Sequence, residues 1–176
     1  MESERLLLRP ILEKDYPSIT KMNTADALTF FGFTTEDEVA AYVKKLHFRF
    51  FECSDGFRAW RVIEKSSLTV IGLMGFHSWV FLHDRAELGY HLTPEAQGKG
   101  YATEAGKLTV QHGFEELKLH RIEAFTGIEN EASMNVLRKL GLTYEGRMKG
   151  HYKRDSVFYD AEVFGLIKPD YKSLIS

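Results

Sequence analysis

Apolar positions along the chain switch between two periods, and the switches mark its elements. Val39, Tyr42, Val43, Leu46 and Phe50 recur at helical spacing behind Thr35 and Glu38, which stand at the interval of a capping box. Residues 36–51 are therefore predicted to form an amphipathic helix. Period-two or continuous apolar runs predict strands at 5–9, 57–64, 69–81, 86–92, 121–126, 142–150 and 155–167. The polar turn Lys65-Ser66-Ser67 makes a hairpin of the second and third strands, Asp84-Arg85 separates the third from the fourth, and Thr93-Pro94 ends the fourth. Helical patterns occupy 13–22, 101–117 and 132–140, the last closed by Gly141. Strands before and after interspersed helices predict a mixed sheet with helices on its faces, an α/β (α+β) fold.

No repeat, low-complexity tract or flexible linker interrupts this pattern, and Pro10, Pro17, Pro94 and Pro169 all fall at element edges, so residues 1–176 read as one domain. A hydrophobic content of 44% is enough to fill a core for that length. Lysine and arginine number 23 against 25 acidic residues, which leaves no basic field to hold a nucleic acid. Cys53 is the single cysteine, so it forms no internal disulfide and reads as a small buried hydrophobe in a reducing compartment. The acidic start Met1-Glu2-Ser3-Glu4-Arg5 lacks the basic flank of a signal peptide, and no run approaches the roughly 18 apolar residues of a membrane span. A cytoplasmic protein without a membrane partner is the expectation. The seven histidines show neither H-x-x-x-H nor H-E-x-x-H spacing, so no metal site is expected.

The chemistry concentrates between the fourth strand and the helix at 101–117. Gly98 and Gly100 let the main chain turn sharply and present bare N–H groups, and the helix start adds unpaired amides and a positive dipole end. Such a turn seats a pyrophosphate. A P-loop would need glycine at 93 and Ser or Thr after Gly100, and the dinucleotide fingerprint would need glycine at 103, whereas these places hold Thr93, Tyr101 and Thr103.

Gln97-x-x-Gly100-x-Ala102 after a strand resembles the coenzyme A pyrophosphate loop of the GNAT superfamily of N-acetyltransferases, and Gly98-Lys99-Gly100-Tyr101-Ala102-Thr103-Glu104-Ala105 is similar to the form in its RimJ/RimL branch. The resemblance continues through Glu4-Arg5-Leu6-x-Leu8-Arg9, Ala86-Glu87-Leu88-Gly89-Tyr90, Asn130-x-x-Ser133 ahead of Leu140-Gly141-Leu142, Glu145-Gly146, and Tyr159-Asp160-Ala161-Glu162-Val163-Phe164-Gly165-Leu166. It implies a GNAT fold: about seven mostly antiparallel strands, splayed between the fourth and fifth, with about four flanking helices. Acetyl-CoA would enter the splay as cosubstrate. The main chain of Tyr90, His91 and Leu92 would pair with its pantetheine, and the amides of Gln97, Gly98, Lys99, Gly100, Tyr101, Ala102 and Thr103 would hold its pyrophosphate. Asn130 and Ser133 would form the opposite wall, although Asn130 also reads as the N-cap of its helix.

Acetyl transfer to an amine needs a neutral nucleophile, a stabilised oxyanion and a proton for the departing thiolate. Glu87 and Glu123 are carboxylates on the two strands expected to line the cleft, with Glu87 the preferred base and an exposed or ion-paired position the competing account of each. The tyrosine that many GNAT enzymes place four residues before the glycine of the last helix is Leu137 here, so the resemblance passes the acid role to Ser133. RimL-like enzymes also carry a late acidic residue where this chain has His151 and Tyr152. Lys149, His151, Lys153 and Arg154 form a short basic cluster, read as a solvated turn. The family resemblance favours a protein N-terminal α-amine, of ribosomal type, as acceptor. A small-molecule amine and a non-catalytic acyl-CoA sensor are the alternatives. Relatives often form homodimers, but no exposed stripe in the sequence demands one.

Overall fold

The computed structural model describes residues 1–11, 37, 58–154 and 156–175. The helices predicted at 13–22 and 36–51 lie outside the described residues, except for Asp37, which is helical. Among the described residues the strands are β1 (Leu6–Pro10), β2 (Arg58–Glu64), β3 (Thr69–Val80), β4 (Arg85–Leu92), β5 (Arg121–Gly127), β6 (Thr143–Arg154) and β7 (Val157–Ile167). The helices are α1 (Tyr101–Glu115), α2 (Glu131–Lys139) and α3 (Lys168–Ile175). The strands make one sheet in the order β1-β2-β3-β4-β5-β7-β6. All neighbours run antiparallel except β4 and β5. No described helix is long and apolar enough to cross a membrane.

Alternation puts Trp60 and Val62 of β2, Met74 and Phe76 of β3, and Ala86 and Leu88 of β4 into one core, which α1 covers with Ala105, Val110 and Phe114. Two glycines set how closely α1 lies. A Cβ on Gly113 would meet Phe76 Cζ at 2.7 Å, and one on Gly106 would meet Leu140 Cδ1 at 2.6 Å. Replacing the fully buried Phe114 by alanine is expected to cost about 3–5 kcal/mol. Leu137 of α2 is also buried, so the position where the family resemblance implies a tyrosine is a core position here.

The sheet opens in the middle. Pairing between β4 and β5 is confined to Arg85↔Arg121, Ala86↔Ile122 and Glu87↔Glu123. Beyond Glu87, β4 stays on β3 through Gly72↔Leu92, while β5 stays on β7 through Gly127↔Ala161. Each of the two strands thus turns one edge toward the gap.

Two expectations need correction. The strand predicted at 142–150 continues to Arg154, with register shifts at Tyr144/Gly146 and Met148/Tyr152, so the basic cluster belongs to a strand and not to a turn. The helix α3 has no counterpart in the sequence pattern. It begins at Lys168-Pro169-Asp170, where proline costs no hydrogen bond in the first turn, and is held by Tyr171 stacked at 4.8 Å on Phe114.

Candidate active site

A cleft of about 320 Å³ occupies the opening on the α1 side. It is lined by Tyr90, His91 and Leu92 of β4, by Gln97, Gly98 and Gly100 of the turn, by Tyr101, Ala102 and Thr103 of α1, and by Asn130 and Ser133 of α2. Glu87 and Lys99, the other predicted site residues, do not line it.

The turn is built by backbone conformation. Gly98 and Gly100 have φ of +71° and +82°. Nothing lies within 4 Å of a Cβ added at Gly98, so the left-handed backbone, rather than crowding, calls for glycine there. Gly100 is the N-cap of α1 and offers no side-chain cap, which leaves the first amides of the helix to an anionic ligand. Gln97 turns back, its Nε2 donating to Leu92 O at 3.0 Å, and so ties the turn to the strand end.

The turn is held from behind by the N-terminal segment. Arg5 donates from Nη1 to Lys99 O at 3.2 Å, from Nε to Glu104 Oε2 at 2.7 Å, and places its guanidinium 4.6 Å from the Tyr101 ring centroid. Ser3 Oγ donates to Glu104 Oε1 at 2.6 Å. Tyr101 in turn donates its hydroxyl to Glu64.

Across the cleft, Asn130 is the N-cap of α2, its Oδ1 accepting from the Ser133 amide at 3.0 Å. The Ser133 hydroxyl lies 3.0 Å from the hydroxyl of Tyr90. Burial pushes the Tyr90 phenol above its ordinary value, against a smaller opposing effect of the Ser133 hydrogen bond, so this pair is neutral and can donate. Burial also pushes the His91 imidazole down, toward its neutral form.

The other face of the opening carries the carboxylates. Glu123 is 11% exposed and accepts from Arg85 Nη1 at 3.0 Å and Arg121 Nε at 3.1 Å. It serves as the anion of a structural chain that continues from Arg121 Nη2 to Glu145 at 2.5 Å. That arrangement is the ion-paired account of Glu123. Glu87, its partner at the end of the β4–β5 pairing, has a histidine neighbour instead: His77 Nδ1 of β3 lies 3.3 Å from Glu87 Oε2. Burial first, and then the Glu87 charge, push the Tyr152 hydroxyl up to about 12. His151 stacks at 4.7 Å on Phe125 of β5.

Three parts of this arrangement escaped the sequence: His77, the Tyr90 hydroxyl and Arg5. The hairpin register pairs His77 with Glu87, which strand counting from the intervening turn would have approached but for the irregularity between His77 and Val80.

The family of the acetyltransferase (GNAT) domain matches residues 5–143. The chain is 30% identical over 172 residues to the uncharacterized N-acetyltransferase YoaA of Bacillus subtilis, over 96% of this chain and 97% of that protein. It is 42% identical over 67 residues to the spermidine N(1)-acetyltransferase of Escherichia coli, over 38% of this chain and 36% of that one. Its fold matches the solved spermidine/spermine N-acetyltransferase SpeG of Vibrio cholerae with a TM-score of 0.74, at 22% identity over 98% of each chain.

Proposed function

We propose, from the premise that this chain belongs to the GNAT acetyltransferase family and is an acyltransferase using acetyl-CoA, that it acetylates the free α-amine of a protein N-terminus. The observation that carries this reading is the parting of β4 and β5 directly after Glu87↔Glu123, with the Tyr90–Ser133 hydroxyl pair on the cleft side and Glu87 beside His77 at the apex.

The cleft fits the cosubstrate. It has a glycine cradle at 98–100 with uncapped amides for a pyrophosphate, and an exposed β4 edge at 88–92 for an extended pantetheine. The thioester supplies the activated acetyl group, and the protein supplies orientation and proton transfer. The main-chain N–H of Leu92, which alternation turns to the open edge of β4 because Thr93 N–H donates to Ile71 O of β3, would stabilise the oxyanion. Glu87 attracts the cationic amine and accepts its proton. Ser133 donates to the departing thiolate, and Tyr90, kept protonated by burial, donates to Ser133 in turn.

The character of the apex supports a monoamine. Glu123 is committed to two arginines, so a single carboxylate, Glu87, meets the incoming cation among the described residues of β4 and β5. An α-amine, with a reference pKa near 8 against about 10.4 for lysine, needs the least deprotonation at neutral pH. A polyamine is the second reading, favoured by the local identity to the spermidine enzyme.

The test is thiol release from acetyl-CoA with peptides bearing free N-termini, the same peptides N-blocked but containing lysine, polyamines, and aminoglycosides. Release with free N-termini alone supports the α-amine. Release with spermidine but not peptides moves the acceptor to polyamines.

A further inference from the structure

The geometry points to His77 as a positioning residue that fixes the Glu87 carboxylate at the apex of the open sheet and passes the proton collected there on to solvent. This rests on the reading of Glu87 as proton acceptor and names the residue that completes that route.

Three independent features converge on His77. Its Nδ1 lies 3.3 Å from Glu87 Oε2, within ion-pairing distance of the carboxylate. Its ring lies over β4 in the space a side chain at position 89 would fill: a Cβ on Gly89 would meet His77 Nε2 at 2.4 Å and Cδ2 at 2.8 Å. Gly89 is therefore glycine to admit the imidazole. The β3 ladder is also broken immediately after His77, with a register shift between His77 and Val80 and Ser78 at φ +50°. Bulges of this kind re-aim a side chain beside a site.

The proton balance is closed by groups on the page. The ammonium loses one proton through Glu87 before attack and a second as the C–N bond forms and the C–S bond breaks, while the sulfur gains one from Ser133, which is reprotonated from solvent, so one proton is released overall. Glu87 transfers its proton to His77 Nδ1, and the imidazolium, with a side chain 29% exposed, releases a proton to water. The charged and titratable groups on this face are Arg61 of β2, Arg85 and His91 of β4, Arg121 and Glu123 of β5, and His151 and Tyr152 of β6. Arg85, Glu123 and Arg121 are joined to one another, whereas His77 contacts Glu87 directly.

The test compares the wild type with His77→Ala, His77→Gln, Gly89→Ala, the double variant that combines His77→Ala with Gly89→Ala, and Glu87→Gln. It uses amine-dependent thiol release from pH 6 to 9.5, with acetyl-CoA binding followed separately by thermal shift. His77→Ala and His77→Gln should bind acetyl-CoA as the wild type does and lose about tenfold or more in kcat, least at the low-pH end, where an imidazole is already protonated and cannot accept from Glu87. Added imidazole should restore a good part of the His77→Ala activity. Gly89→Ala should lower kcat in the wild type by displacing the ring, yet cost nothing further once His77 is replaced by alanine. An unchanged kcat and pH profile in His77→Ala, or a loss that imidazole does not restore, overturns the inference. Additive losses in the double variant do so as well. Glu87→Gln separates the two levels. Wild-type activity there defeats the underlying reading of Glu87, whereas a collapse there with an unaffected His77→Ala defeats only the role of His77.

Discussion

Ser133 does two jobs through different atoms. Its amide donates to the Asn130 cap and its hydroxyl meets Tyr90, so substitution can separate them. Ser133→Ala keeps the amide and removes the proton donor. Steady-state kinetics should show kcat down by about 10²-fold with acetyl-CoA affinity little changed. Tyr90→Phe should cost less, and because the hydroxyls act in series the double variant should be no slower than Ser133→Ala. Asn130→Ala should instead lower stability by about 1 kcal/mol in denaturant unfolding. Spacing alone exposes Asn130 and Ser133, since both lie within one helical turn. The Tyr90 hydroxyl is invisible at that range, because its partner is 43 residues away and the contact depends on how α2 sits over β4. Chemical type was also a poor guide for Glu123, which looks like a base until its two arginines are located.

At the scale of elements, the strand–turn–helix around Gly98 and Gly100 is the most legible part, because its local backbone demands coincide with its chemistry. The hairpin of β2 and β3 and the strand β4 are equally plain from alternation. The extension of β6 and the helix α3 are not, because the first is interrupted by irregular register and the second is held by one aromatic stack rather than by a periodic face. The clamp on the glycine turn also needs tertiary knowledge, since Arg5 reaches it across 94 residues. Arg5→Ala removes the guanidinium bonds to the Lys99 carbonyl and to Glu104, which keeps its bond from Ser3, and loosens amides that bind best when pre-set. The Arg5 side chain is 46% exposed, so screening limits the effect. The KM for acetyl-CoA should rise about three- to tenfold with kcat near wild type, and Glu104→Gln should reproduce the pattern. A fall in kcat at saturating acetyl-CoA would instead mean that the clamp shapes the reacting end.

For the whole molecule, the splay makes the sheet two blocks joined by three residue pairs and by the chain Arg85–Glu123–Arg121–Glu145 that runs across β4, β5 and β6. Arg85–Glu123 is the link of that chain that crosses the junction, whereas the ion pairs that set the acid limb of stability lie within the β5–β7–β6 block. Hydrogen bonding to Arg121 holds Glu145 below the ordinary glutamate value, and Arg147 followed by Tyr144 does the same for Glu162. Both are acids with depressed folded pKa values. Their contribution is complete above the ordinary glutamate value, near 4.3, and is lost as pH falls through it toward the lower folded values. Tyr152 has the opposite sign. Its folded value of about 12 lies above the reference near 10, so the unfolded chain ionises first and stability falls as pH rises from about 10 toward 12. Thermal midpoints should be flat from about pH 7 to 9 and fall on both sides, the acid fall beginning as pH drops below about 6.5, where the unfolded chain protonates the histidines that burial depresses in the folded one, His91 and His112. Glu145→Gln should flatten the acid limb, and Tyr152→Phe the alkaline one. Acetyl-CoA bound as proposed would act on the same junction from the cleft, its extended arm covering the β4 edge that β5 leaves at residues 88–92. At a concentration of 100 Kd it should stabilise the protein by about 2.7 kcal/mol. Hydrogen exchange should then slow at residues 88–92 and 98–103 more than in β1 or β2. Uniform slowing across all strands would mean that the ligand stabilises the fold without bridging its two blocks.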